Sequence, residues 1–89
     1  MKFICSKESI LKILSIAESI ISTRNSISIL SNVLLEAKNN LVKVTASETS
    51  ITFVSEINAE VLEEGSVSVY CNRLYTLVRK LSGNEIEIF

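Results

Sequence analysis

The chain has 89 residues, nine Lys or Arg against ten Glu, no Asp, no His and 47% apolar content, which suits one modest hydrophobic core and removes the usual acid-base pairs for catalysis near neutrality. Its two glycines, Gly65 and Gly83, stand alone, so a glycine-rich phosphate loop is excluded. No apolar run is long enough to span a bilayer, and Lys2 leads at once into strand-like alternation rather than a signal peptide; the predicted location is cytoplasmic.

Alternation predicts a strand over about Lys2 to Ser6, with Phe3 and Cys5 on one face. Ser9 then reads as a helix cap. In the following helix, to about Ile21, Ile10, Leu11, Ile13, Leu14, Ala17, Ile20 and Ile21 form a broad apolar stripe opposite Glu8, Lys12, Ser15 and Ser19. Ser22 to Ser26 is a polar loop carrying Arg24, and Ile27, Ile29 and Leu30 return the chain to the core. Strands over Val33 to Lys38 and Leu41 to Ser47 are joined by Asn39-Asn40, residues that tolerate the positive φ of a type I′ turn. A second hairpin around Glu48-Thr49 leads into a long predicted strand from Ile51 to Leu62, and Glu63, Glu64 and Gly65 form a turn. Ser66 to Cys71 is a strand, Asn72 a cap, and Arg73 to Leu81 a helix ended by Ser82-Gly83 with glycine as left-handed C-cap. Glu85 to Phe89 alternates like a strand that has just begun.

These elements repeat. Phe3, Cys5, Ile10, Leu11, Ile13 and Leu14 are echoed 64 residues later by Val67, Val69, Leu74, Tyr75, Leu77 and Val78. The echo predicts an α+β fold made of a duplicated strand-helix-strands unit, with two adjacent, antiparallel helices on a shared, mainly antiparallel sheet. The first unit covers about residues 1–65 and an incomplete second unit about 66–89, because three strands follow the first helix and one follows the second. The chain is therefore expected to be part of a longer protein, truncated before its last strands. Cys5 and Cys71 both fall on inward positions and are expected to be free core thiols; without histidine they make no ordinary zinc site, and no metal or cofactor is predicted.

Charge is sorted along the chain. Residues 41–65 carry one Lys against five Glu, whereas the helix-bearing parts are net positive. Arg73, Thr76 and Lys80 share a stripe at spacings of three and four, and Lys12 lies on the free face of the first helix. A sparse basic surface without interleaved aromatics suits phosphate backbones rather than base reading, although charge alone favours ordinary solvated faces.

Met1-Lys2-Phe3, the helix start Ser9-Ile10-Leu11-Lys12, the segment Ile29-Leu30-Ser31-Asn32-Val33-Leu34-Leu35 and the helix Arg73-Leu74-Tyr75-Thr76-Leu77-Val78-Arg79 together resemble the N-terminal domain of the bacterial DNA sliding clamp, the beta subunit of DNA polymerase III. The resemblance covers the whole chain, and the Ile-Leu-Ser-Asn-Val-Leu-Leu stretch is its most specific part. It implies a DNA-clamp fold and a head-to-tail homodimeric ring of three-domain subunits, with helices lining the hole and sheets forming the rim. Duplex DNA is the implied sequence-independent partner, and DNA polymerase III and the clamp loader are the implied protein partners. It places DNA-contacting residues at Arg24 and Arg73 and a hole-lining lysine at Lys12; Lys80 joins them on the stripe described above. Ser28 departs from the proline usual before Ile-Leu, and the family's partner-peptide pocket and most of the ring interface lie outside this chain. Two other readings stand beside this one: a stand-alone interaction module pairing through exposed edge strands, and an enzyme using Cys71 or a glutamate, which the side-chain inventory disfavours.

Overall fold

The computed structural model describes residues 1–22, 32–48 and 51–88. Arg24, the predicted return at Ile27 to Leu30, Ser28 and the turn residue Thr49 lie outside the described residues. In chain order the elements are β1 (Lys2–Ser6), α1 (Lys7–Ser22), β2 (Asn32–Lys38), β3 (Leu41–Glu48), β4 (Ile51–Asn58), β5 (Glu60–Glu63), β6 (Gly65–Tyr70), α2 (Cys71–Lys80) and β7 (Glu85–Ile88).

The strands form two sheets rather than one shared sheet, ordered β5-β1-β7 and β4-β3-β2-β6, and every pairing among the described residues is antiparallel. The sequence's long strand from Ile51 to Leu62 is divided at Ala59. Asn39 and Asn40 take φ of 54° and 58°, as a type I′ turn requires, and the tip of their hairpin then bonds to the passing chain. The Ala59 N–H donates to the Asn40 carbonyl at 3.1 Å, and the Val61 N–H donates to Asn40 Oδ1 at 3.3 Å. These bonds divert the chain out of one sheet and into the other. One apolar layer fills the interior, drawn from Phe3 and Cys5 of β1, Ile10, Leu14 and Ala17 of α1, alternate residues of β2 and β3, and Cys71 and Val78 of α2.

The 64-residue echo is visible in the pairing. β1 leads into α1 and pairs with β7, the strand after α2; β6 leads into α2 and pairs with β2, the strand after α1. Each unit thus lends a strand to the other's sheet, as an approximate two-fold demands. Burial is less symmetric than the sequence. Phe3 and Cys5 are buried on a strand with neighbours on both sides, but Val67, their counterpart, is 39% exposed because β6 is an edge strand among the described residues.

Helix boundaries also differ from the sequence reading. Ser6, not Ser9, caps α1: its hydroxyl accepts the Ser9 N–H at 3.3 Å, the N-cap to third-residue bond. α2 begins at Cys71, two residues before the predicted start, with Tyr70 at the N-cap and no side-chain capping bond. Asn72 sits inside the helix, its side chain engaged elsewhere. The C-cap is Leu81 in an extended conformation, its N–H donating to the Val78 carbonyl at 3.2 Å; Gly83, at φ +96°, turns the chain toward β7 instead of capping the helix.

Candidate nucleic-acid interface

The two helices lie side by side and antiparallel, joined at both ends by side chains of α1. Lys7 Nζ donates to the Leu81 carbonyl at the end of α2. Glu18 Oε1 accepts a 3.2 Å hydrogen bond from Asn72 Nδ2 in the first turn of α2. Lys7 and Glu18 are eleven residues apart, three helical turns or roughly 16 Å along one face, which matches the ten residues of α2. A cation thus meets the C-terminal end of α2 and a carboxylate its N-terminal end, the arrangement its dipole favours.

Away from this seam, each helix turns a polar side outward. Lys12 is exposed on α1, and Arg73 and Lys80 are exposed on α2. Asn72, Arg73, Thr76, Leu77 and Lys80 line one open, shallow groove, so the predicted Arg73, Thr76 and Lys80 stripe is brought together. Leu77, counted with the core stripe from sequence, is 56% exposed in that groove. At 100° per residue it falls about 40° from Arg73 and about 60° from Lys80, and roughly 100° or more from the buried edge marked by Cys71 and Val78. Two aromatic contacts escaped the sequence reading: the Arg73 guanidinium stands 5.8 Å from the Tyr70 ring centroid and that of Arg79 5.3 Å from the Tyr75 ring. Their signal was the i, i+3 and i, i+4 spacing on a helix.

Charge follows the architecture. α1 and α2 carry Lys7, Lys12, Arg73, Arg79 and Lys80 against Glu8 and Glu18, whereas the described strands and turns carry Lys2, Lys38 and Lys43 against the remaining eight glutamates. On the outer face of the four-stranded sheet Lys43 is paired with Glu36 on one side and Glu56 on the other. On the three-stranded sheet Glu60 and Glu87 flank Ile4, and Lys2 Nζ lies 3.7 Å from Glu87.

Neither thiol is arranged as a nucleophile. Cys5 and Cys71 are buried and unbridged; burial, helped by the charge of Glu85, pushes Cys5 up to about 11, and burial, with the charge and hydrogen bond of Glu18, pushes Cys71 up to about 12. A nucleophilic cysteine needs the opposite shift. Among the described residues no cluster of His, Cys, Asp or Glu is placed to hold a metal ion, and no helix is long and apolar enough to cross a membrane.

A duplicated strand-helix-strand unit, with paired helices presenting cations and sheets presenting glutamates, defines an α+β domain of the DNA-clamp class. The sequence profile of the DNA polymerase III beta subunit, N-terminal domain, matches residues 1–89. The chain is 42% identical over 88 residues to the beta sliding clamp of Treponema pallidum, covering 99% of this chain and 24% of that protein. It is 32% identical over 81 residues to that of Caulobacter vibrioides, covering 91% and 22%. Among solved structures, Caulobacter crescentus pol III beta superposes with a TM-score of 0.84 at 30% identity over 98% of this chain and 24% of that one. The Bacillus subtilis DNA polymerase sliding clamp gives 0.86 at 24% identity, over all of this chain and 26% of its own, a likeness of fold. The chain belongs to the family of bacterial DNA polymerase III beta subunits, the beta sliding clamps, and spans about a quarter of the length of the curated relatives it matches.

Proposed function

We propose that this chain supplies part of the wall of a ring that encircles duplex DNA and tethers DNA polymerase III for processive replication. In this reading it acts without catalysis, within a longer subunit that closes head to tail with a second copy and is placed on DNA by a clamp loader. The observation that carries the proposal is the sorting of charge by element: five of the described cations stand on the helices and eight glutamates on strands and turns. Phosphates are attracted to the first surface and repelled from the second, so a duplex is held at the helical face. A few dispersed cations give weak, sequence-blind attraction that permits sliding. Lys12, Arg73 and Lys80 carry this role on the helical faces, with Arg24 as a fourth member.

The test uses the ring-forming subunit that bears this segment. Arg24→Ala combined with Arg73→Ala is expected to weaken attraction equally on unrelated duplex sequences, and each phosphate interaction removed should reduce the magnitude of the log-log salt slope by about 0.9. Sequence-selective weakening contradicts the proposal. So does tight duplex binding by the isolated 89-residue chain, with Kd on the order of 10⁻⁸ M, because encirclement is then unnecessary.

A further inference from the structure

Arg73 occupies the third position of α2, in a first turn that has no side-chain cap of its own. The early N–H groups of a helix lack intrahelical partners, and an end without a cap is where a helix frays. Here the missing restraint comes from the other helix. Glu18 accepts the Asn72 side-chain amide at 3.2 Å, so its carboxylate holds the residue that immediately precedes Arg73. On the other side, the Tyr70 ring lies 5.8 Å from the guanidinium, close enough for a cation-π contact. Glu18 is also a negative charge among helices rich in cations, where its field alone opposes phosphate attraction.

From this arrangement we infer that Glu18 is a positioning residue: by fixing the first turn of α2 it aims Arg73 at the phosphate backbone. The inference rests on the proposed role of Arg73 in DNA attraction, and it makes a prediction of opposite sign to electrostatics. If Glu18 acts only through its charge, removing it tightens duplex binding. If it positions Arg73, removing it weakens binding, and only while Arg73 is present.

A double-mutant cycle in the ring-forming subunit separates these outcomes, read by fluorescence anisotropy on a labelled duplex at low salt, with thermal midpoints measured alongside. Glu18→Ala is expected to weaken binding about two- to fivefold, the low end of coupling between residues sharing a network, and to have no effect in the Arg73→Ala background. Glu18→Gln keeps an acceptor for Asn72 and should bind as the parent does or slightly better. Asn72→Ala severs the same link and takes the place of Glu18→Ala in the cycle if that variant does not fold. Additive effects of Glu18→Ala and Arg73→Ala, or tighter binding by Glu18→Ala, overturn the positioning role while leaving Arg73 as a phosphate contact. An Arg73→Ala variant that binds like the parent overturns both.

Discussion

Glu18 and Asn72, 54 residues apart in sequence, meet through a 3.2 Å hydrogen bond at the seam between α1 and α2. The pair is part-buried, so each partner left alone keeps a poorly solvated polar group. Asn72→Ala is expected to lower the unfolding free energy by about 1–2 kcal/mol, since a hydrogen bond to a charged group exceeds a neutral one. Glu18→Gln should cost less, because its amide oxygen still accepts. Urea titration of the three proteins checks the order; equal midpoints would show that water replaces the bond at no cost.

Both thiols should be slow to react in the folded protein and fast in denaturant. Cys5 and Cys71 are held above their ordinary 9.0, at about 11 and about 12, chiefly by burial. Between pH 9 and 12 the unfolded chain releases these protons while the folded chain keeps them. The unfolded state then binds fewer protons, and stability falls as pH rises through that window. Below pH 9 the contribution is fully present and level. Unfolding midpoints of the parent and of Cys71→Ala, compared at pH 8 and pH 10.5, test this: the parent should lose more on going to the higher pH.

At the Asn39-Asn40 turn the two residues do different work. Both have positive φ, a region in which an alanine costs about 1–2 kcal/mol and glycine little. Asn39 contributes its backbone N–H to Glu64 Oε2 at 3.1 Å, a bond that glycine retains, whereas Asn40 contributes its side-chain oxygen to the Val61 N–H. Asn39→Gly is therefore expected to be nearly neutral. Asn40→Gly should destabilise by about 1 kcal/mol and speed amide exchange at Val61.

Local signals in the sequence carried the elements well because each depends on near neighbours. The Asn39-Asn40 turn, the α1 stripe of Ile10, Ile13, Leu14 and Ala17, and the 64-residue echo were all legible, and the echo foretold that the helices pack together. Three features depend on distant partners and were not. The long strand divides at Ala59 only because the Asn40 hairpin tip reaches it. Val67 shares the parity of buried Phe3 but lies on a sheet edge, so parity gave its face and not its burial. Leu77 resembles a core residue because the echo aligns it with Ile13, which is 6% exposed, yet among the described residues nothing packs over its position on α2 and it is 56% exposed, between cations. Of the residues proposed to face DNA, Lys12, Arg73 and Lys80 are legible from charge, spacing and resemblance. Glu18 is not, since nothing near it in sequence announces Asn72.

Leu77 offers a gain-of-interaction test of the helical face. It is 56% exposed, between Arg73 and Lys80 in one shallow groove, so its side chain contributes little packing, and substitutions at such surface positions usually stay within about 0.5 kcal/mol. Leu77→Arg adds a third cation to the stripe and, if this face meets phosphates, one further phosphate interaction. In the ring-forming subunit the magnitude of the log-log salt slope for duplex attraction should rise by about 0.9, equally on unrelated sequences. Sliding on DNA should slow in parallel, because each added interaction must break at every step. Val54→Arg, at a 50% exposed position on the outer face of the four-stranded sheet, adds the same charge at the rim and is the matched control. If both variants steepen the slope alike, the duplex responds to net charge and the helical face has no privileged role; if Leu77→Arg alone does so, the cations of α1 and α2 face the DNA.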